Sequence, residues 1–171
     1  MKNLILPLFL VNSLFISLDA FSASTVTLNF IGNIKAATCN ISGGNNIDID
    51  LKNMPADLFN LPQSGSDWKI FNINMNNCSS YVNELVLTFS GTSDTNNINN
   101  LYKNMGTAKN IAVQLESGDG ASPLGNQKVL RVPLAGKNSL SIPLRTRAYS
   151  AIGNASAGTV SANITATITY L

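Results

Sequence analysis

The sequence contains no histidine. That removes the usual general base near neutral pH and the commonest metal ligand. Charge is scarce as well. Only 12% of residues are Asp, Glu, Lys or Arg, and 11 basic against 9 acidic residues leave a net charge of +2. No basic stripe interleaved with aromatics is present, which argues against nucleic acid as a partner. There are two cysteines, Cys39 and Cys78. A reactive thiol needs a nearby base, and without histidine that role is unfilled. The few carboxylates form no pattern with chemistry. Asp48 and Asp50 lie two apart and read as the solvated face of a strand. Glu116 and Asp119 flank a glycine but match no calcium-loop spacing. Gly118-Asp119-Gly120 is too short and too acidic for a phosphate cradle. These absences predict no catalytic residues, no cofactor and no metal: the chain is not an enzyme.

Long hydrophobic runs are limited to the start. Lys2 precedes an apolar stretch from Leu4 to Leu18, interrupted by Pro7, Asn12 and Ser13. The stretch is too short and too polar for a membrane span. Followed by the small residues around Ala20-Phe21-Ser22, it reads as a secretory signal over residues 1–22, cleaved after Ser22, with Ala23 the alternative. About 150 residues remain, enough for one domain with a real core. A secreted chain with two cysteines usually pairs them. A Cys39–Cys78 disulfide would contribute roughly 3–4 kcal/mol by loop closure.

What the sequence does have is alternation. From Gly158 to Leu171, Val160, Ala162, Ile164, Ala166, Ile168 and Tyr170 share one face, and Thr, Ser and Asn occupy the other. A period of two sustained this long predicts a half-buried strand. Val26, Leu28, Phe30, Gly32 and Ile34 repeat the parity near the start of the secreted part, with Ile31 pointing outward. Shorter alternations occur at Ile47–Leu51, Phe71–Met75, Leu85–Phe89, Ile111–Leu115 and Leu140–Leu144. Turn-rich stretches separate them, including Ser42–Asn46, Gly91–Asn100, Ser117–Gly125 and Ala135–Asn138. Many short strands with polar turns predict a β-sandwich. Helix is confined to a turn within Asn53–Pro62. Trp68 is expected to anchor the core or an edge of the sandwich. Four Asn-X-Ser/Thr sequons, at Asn40, Asn77, Asn154 and Asn163, are what chance gives in a chain this rich in those residues.

Several of these pieces, in order, carry a resemblance. They are Thr25–Ile34 ahead of Cys39, Asn77-Cys78 after an alternating strand, Leu87-Thr-Phe-Ser-Gly91, and Tyr102–Asn110 leading into Ile111–Leu115. The ending, with Gly158 and the penultimate Tyr170, completes the set. The chain resembles subunits of chaperone–usher fimbriae (pili), most like a minor tip-fibrillum adaptor of type 1 fimbriae. The resemblance implies an all-β fold, an incomplete immunoglobulin-like sandwich lacking its final strand. It implies that residues 23–35 form a donor-strand extension, with Val26, Leu28, Phe30, Gly32 and Ile34 as its inward positions. Residues 36–171 would be the pilin domain. Gly158, Val160, Ala162, Ile164, Ala166, Ile168 and Tyr170 would form the acceptor groove and chaperone-binding strand. The implied partners are a periplasmic chaperone, an outer-membrane usher and neighbouring subunits joined head to tail. The implied destination is the cell-surface fimbrium, by way of the periplasm, and the implied role is adhesion. A major rod subunit and a secreted glycan-binding adhesin are the alternatives. An adhesin of this family carries a receptor domain ahead of its pilin domain, where only a signal stands here. The short interval between the first strand and Cys39 favours an adaptor over a rod subunit.

Overall fold

The computed structural model describes residues 25–34 and 38–171. The signal assigned to residues 1–22 lies outside them. The chain divides after Ile34 into two units. In the first, residues 25–34 form no strand. Phe30 and Ile31 are 90% and 95% exposed, so the expected alternation of inward and outward positions is not expressed there. The reason is physical: a strand exists through hydrogen bonds to a neighbour, and a single extended segment has none.

In the second unit, alternation becomes structure wherever a partner is available. The strands are β1 (Asn40–Ile41), β2 (Ser64–Gly65), β3 (Lys69–Asn76), β4 (Glu84–Ser90) and β5 (Leu101–Lys103). They continue with β6 (Ala112–Ser117), β7 (Val129–Pro133), β8 (Leu140–Ser150) and β9 (Thr165–Tyr170). A single 3-10 turn, Ala56–Phe59, occupies the region expected to hold helix. One sheet runs β1-β3-β8-β6-β5, with β2 also paired to β8. The other runs β7-β4-β9. Every ladder is antiparallel.

The inward rows of the two sheets meet in one core. Leu85, Leu87 and Phe89 of β4 are fully buried against Ile73, Met75, Val113, Leu115, Ile142 and Leu144. Register places Ile73 beside Ile142 and Leu87 beside Ile168, so large residues stack across the ladders. Pro143 sits inside β8 without breaking it. Its carbonyl accepts from Gly118 N–H beyond the last β6 pair, Ser117–Leu144, so the missing N–H faces a place where no ladder bond is required. Asn77 and Asn154 hold φ of 50° and 53°, a left-handed conformation that asparagine tolerates well.

The Cys39–Cys78 disulfide forms, between two buried cysteines 39 residues apart. Closing a loop of that length contributes about 4 kcal/mol in the chain-entropy picture.

Three expectations need correction. The Ile47–Leu51 alternation forms no strand, although Ile49 and Leu51 are half-buried. No strand pairs with it, and it ends at Lys52, whose φ is 66° and whose N–H donates to Asp50 Oδ1. The last strand begins at Thr165 rather than Gly158, because its partner β4 ends at Ser90, directly opposite Thr165. Trp68 anchors neither core nor sandwich edge. Its ring centroid lies 4.1 Å from Arg145 Cζ and 4.3 Å from Arg147 Cζ. Both arginines project from the outer face of β8, opposite the buried Leu144, Thr146 and Ala148.

Candidate functional site

β9 pairs with β4 on one side only; among the described residues no ladder covers its other side. The inward row of β9, continued ahead of the strand by Val160, Ala162 and Ile164, is therefore incomplete. Val160, Ala162, Ile164, Ala166, Ile168 and Tyr170 all pack on the core, yet each remains half-exposed. Alternate residues from Thr159 to Thr169 are exposed. For comparison, the inward residues of β4 are at most 1% exposed.

Beside this row runs an open groove of about 1200 Å³. One wall is the chain from Gly158 to Ile168, and the other is the unpaired Ile47–Leu51 segment. Phe71, Ile73, Phe89, Val113 and Leu115 supply an apolar floor from both sheets. The elongated shape and apolar floor suit an extended chain with alternating apolar side chains. Six of the seven residues expected in the groove wall, Gly158 and Val160 to Ile168 at alternate positions, line it. Tyr170 does something else. Its hydroxyl donates to the Cys39 carbonyl at 3.1 Å and ties the last strand to the disulfide. Leu171 N–H donates to the Glu84 carbonyl, and its own carbonyl accepts from Asn83 and Glu84, so the end of β9 is held firmly.

The first half of the wall is held by a clamp that the sequence did not advertise. Ala108 N–H donates to the Thr159 carbonyl and Met105 N–H to the Ser161 carbonyl. Ser161 N–H donates to Asn104 Oδ1 at 2.8 Å, and Thr159 N–H to Thr107 Oγ1 at 2.9 Å. The crossing is close enough to need glycine on both sides. A Cβ on Gly106 would overlap the Thr159 carbonyl, and one on Gly158 would overlap the Ala108 backbone nitrogen. The clamp keeps residues 159–164 extended after β4 has turned away at Gly91.

Chemical groups elsewhere are engaged by the protein itself. Glu116 accepts both Nε and Nη2 of Arg145 at 3.0 and 2.6 Å, and Gln114 Nε2 at 2.9 Å. Arg147 Nε donates to Gln114 Oε1 at 2.7 Å, and loss of water around its guanidinium pulls its pKa below the ordinary arginine value. Burial pushes the Tyr102 phenol well above its ordinary range; its hydroxyl donates to the Leu124 carbonyl at 2.9 Å. Asp119 is held below the ordinary carboxylate value by donors from the Ser117 hydroxyl and the Ala121 amide. Glu116 and Asp119 thus serve an ion pair and a turn. Among the described residues, no three His, Cys, Asp or Glu side chains gather as a metal cluster would. The expected inward positions of the extension, Val26, Leu28, Phe30 and Ile34, are exposed apolar side chains, and a Cβ on Gly32 would meet nothing within 4 Å.

The family described as "Fimbrial protein" matches residues 28–171. The chain is 32% identical to Protein FimG of Escherichia coli K12 over 151 residues, covering 86% of each. It is 29% identical to the fimbrial-like protein YdeR of the same strain, again over 86% of each. Among solved structures, the fold is similar to the P pilus rod subunit PapA, with a TM-score of 0.62, 18% identity, and coverage of 78% of this chain and 99% of that one. Fold, open groove and sequence similarity agree: the chain belongs to the fimbrial protein family, as a structural, non-enzymatic pilus subunit.

Proposed function

We propose that this subunit polymerises by strand exchange and serves as a minor adaptor near the fibre tip. One observation carries the first part: the half-exposed inward row of β9 borders an unpaired edge over an apolar groove. An open edge with apolar side chains beneath it invites pairing with any available chain. In this reading a chaperone lends a strand in the periplasm, and an outer-membrane usher receives the complex. The extension of the next subunit then replaces the lent strand. Main-chain hydrogen bonds to β9 supply affinity, and the alternating side chains fix register. The extension of this chain, with Val26, Leu28, Phe30, Gly32 and Ile34 inward, does the same for a neighbour. The adaptor role rests on the short interval between Ile34 and Cys39 and on the resemblance to tip-fibrillum adaptors.

Deleting residues 23–35 tests the reading. The truncated protein is expected to co-purify with its chaperone but to be missing from isolated fibres, because it cannot be added beneath a preceding subunit. Incorporation at the normal level would falsify the donor role.

A further inference from the structure

The fold holds the charge of Arg147 in place without neutralising it. Glu116 pairs with Arg145, and among the described residues no carboxylate pairs with Arg147. Its guanidinium is nonetheless fixed on several sides. Trp68 and Tyr149 lie against it, with ring centroids 4.3 and 5.1 Å from Cζ. Gly65 passes so close that a Cβ there would stand 2.9 Å from Cζ. Gln114 gives its Nε2 to Glu116, which leaves its Oε1 to accept Arg147 Nε at 2.7 Å. The Nε edge is thereby occupied. The two Nη groups donate to no protein acceptor among the described residues, and neither is sealed from solvent. An open Nη pair on a guanidinium already held in position is a fork shaped for a carboxylate.

Tyr149 joins this fork to a second feature. Its register partner on β6 is Ala112, whose small side chain leaves a notch of about 110 Å³. Asp94, Asn96 and Asn110 line the notch with Tyr149. The amide donors there are already used: Asn96 Nδ2 on Asp94 Oδ1 at 2.8 Å, and Asn110 Nδ2 on the Asn154 carbonyl at 3.0 Å. Asp94 Oδ2, Asn96 Oδ1 and Asn110 Oδ1 receive no donor from the described residues. The notch therefore offers acceptors, and the fork beside it offers donors to an anion. We propose that this patch binds a saccharide carrying a carboxylate: Arg147 takes the carboxylate, Tyr149 a face of the sugar ring, and the oxygens of Asp94, Asn96 and Asn110 its hydroxyls. A run of acidic side chains fits only half of this. Asp94 would repel it, and the acceptors of the notch would go unpaired. None of these residues lines the groove, so the inference is independent of strand exchange.

The test follows binding to the secreted chain, Ala23 to Leu171, with glucuronate and N-acetylneuraminate as probes and glucose and acetate as controls. Saturation transfer from the protein to ligand protons detects binding. The emission of Trp68, the only tryptophan, reports it beside Arg147. At least one acidic sugar is expected to bind with a Kd of about a millimolar, and glucose and acetate at least about tenfold more weakly. A response to glucuronate points to an acidic polysaccharide as the source, and one to N-acetylneuraminate to the capped end of a glycan. Arg147→Lys keeps the charge and removes the fork, and should weaken the acidic sugar at least about tenfold. Because Arg147 packs on Trp68, a second variant avoids the stack. Asn96→Ala lies on an exposed loop, leaves the fold intact, and is expected to weaken the sugar severalfold while acetate binding stays the same. Acetate binding as tightly as the sugars overturns the saccharide assignment, as does unchanged sugar binding in Asn96→Ala. Absence of saturation transfer to both acidic sugars up to about 0.1 M overturns the site itself.

Discussion

Replacing Ile164 by alanine separates the cost of an incomplete fold from the strength of strand binding. The change removes three carbons, worth about 0.8 kcal/mol each when fully buried. In the free subunit Ile164 is only half-buried. About half of the full ~2.4 kcal/mol is therefore at stake, and free-state stability should fall by about 1.2 kcal/mol. A strand in the groove covers the remaining surface. The other ~1.2 kcal/mol then appears as weaker binding, roughly eightfold. Leu87→Ala is the control. Leu87 is fully buried and does not line the groove. It should cost about 2–5 kcal/mol of stability whether or not a strand is bound, with strand affinity unchanged. Urea denaturation of the free subunit gives the first quantity, and titration with a complementing peptide gives the second. If Ile164→Ala lowers stability as much as a core truncation and leaves peptide affinity untouched, the groove wall is ordinary core and the open edge beside it has no binding role.

Replacing both Cys39 and Cys78 by serine should lower stability by about 4 kcal/mol, read as an earlier urea midpoint; no change would mean that Tyr170 and the β1–β3 ladder suffice to hold Cys39 in place. Gly158→Ala should destabilise the first half of the groove wall by about 1–3 kcal/mol, since its Cβ runs into Ala108, and hydrogen exchange at Thr159 and Ser161 should quicken while β4 stays protected. Asp119 has a lowered pKa in the folded chain, so its stabilising effect is complete above its ordinary value of 3.8 and lost as pH falls through the lowered one. The melting temperature of Asp119→Asn should therefore trail the wild type at pH 6 and converge with it in stronger acid; a constant gap would show that the carboxylate charge is irrelevant.

The inward rows of β3, β4, β6 and β8 were legible because each alternates over several residues and finds a hydrogen-bonded neighbour in the same molecule. Ile47–Leu51, residues 25–34 and residues 158–164 alternate equally well and yet form no strand. Periodicity reports which face prefers burial, whereas a ladder requires a partner, and nothing local reveals whether one exists. The groove wall could be read for the same reason: its side chains show their preference even without a neighbour. The groove floor could not, because Phe71, Val113 and Leu115 come together only through sheet topology. Trp68 escaped because its partners are set by strand register, which brings Arg145 and Arg147 beside it from nearly 80 residues away. The clamp at Asn104 and Thr107 escaped likewise. Its hydrogen bonds reach across more than 50 positions.

The treatment of sheet edges argues that the opening beside β9 is kept by design rather than left by accident. Natural sheets blunt exposed edges with brevity, charge or proline. β1 and β5, the ends of the first sheet, are two and three residues long. β7, the far edge of the second sheet, carries Arg131, paired to Glu84 at 2.8 Å, and ends in Pro133. β9 is six residues long, and from Thr159 to Leu171 there is neither a charge nor a proline. Its outward row is Thr, Ser and Asn, polar enough for water and well suited to the surface of a sheet. A chain that protects three edges and leaves the fourth bare, directly above a large groove with an apolar floor, has left that edge competent to pair. The unpaired N–H and C=O groups that carry the hazard of aggregation are the same groups to which the strand-exchange reading assigns a second molecule's strand.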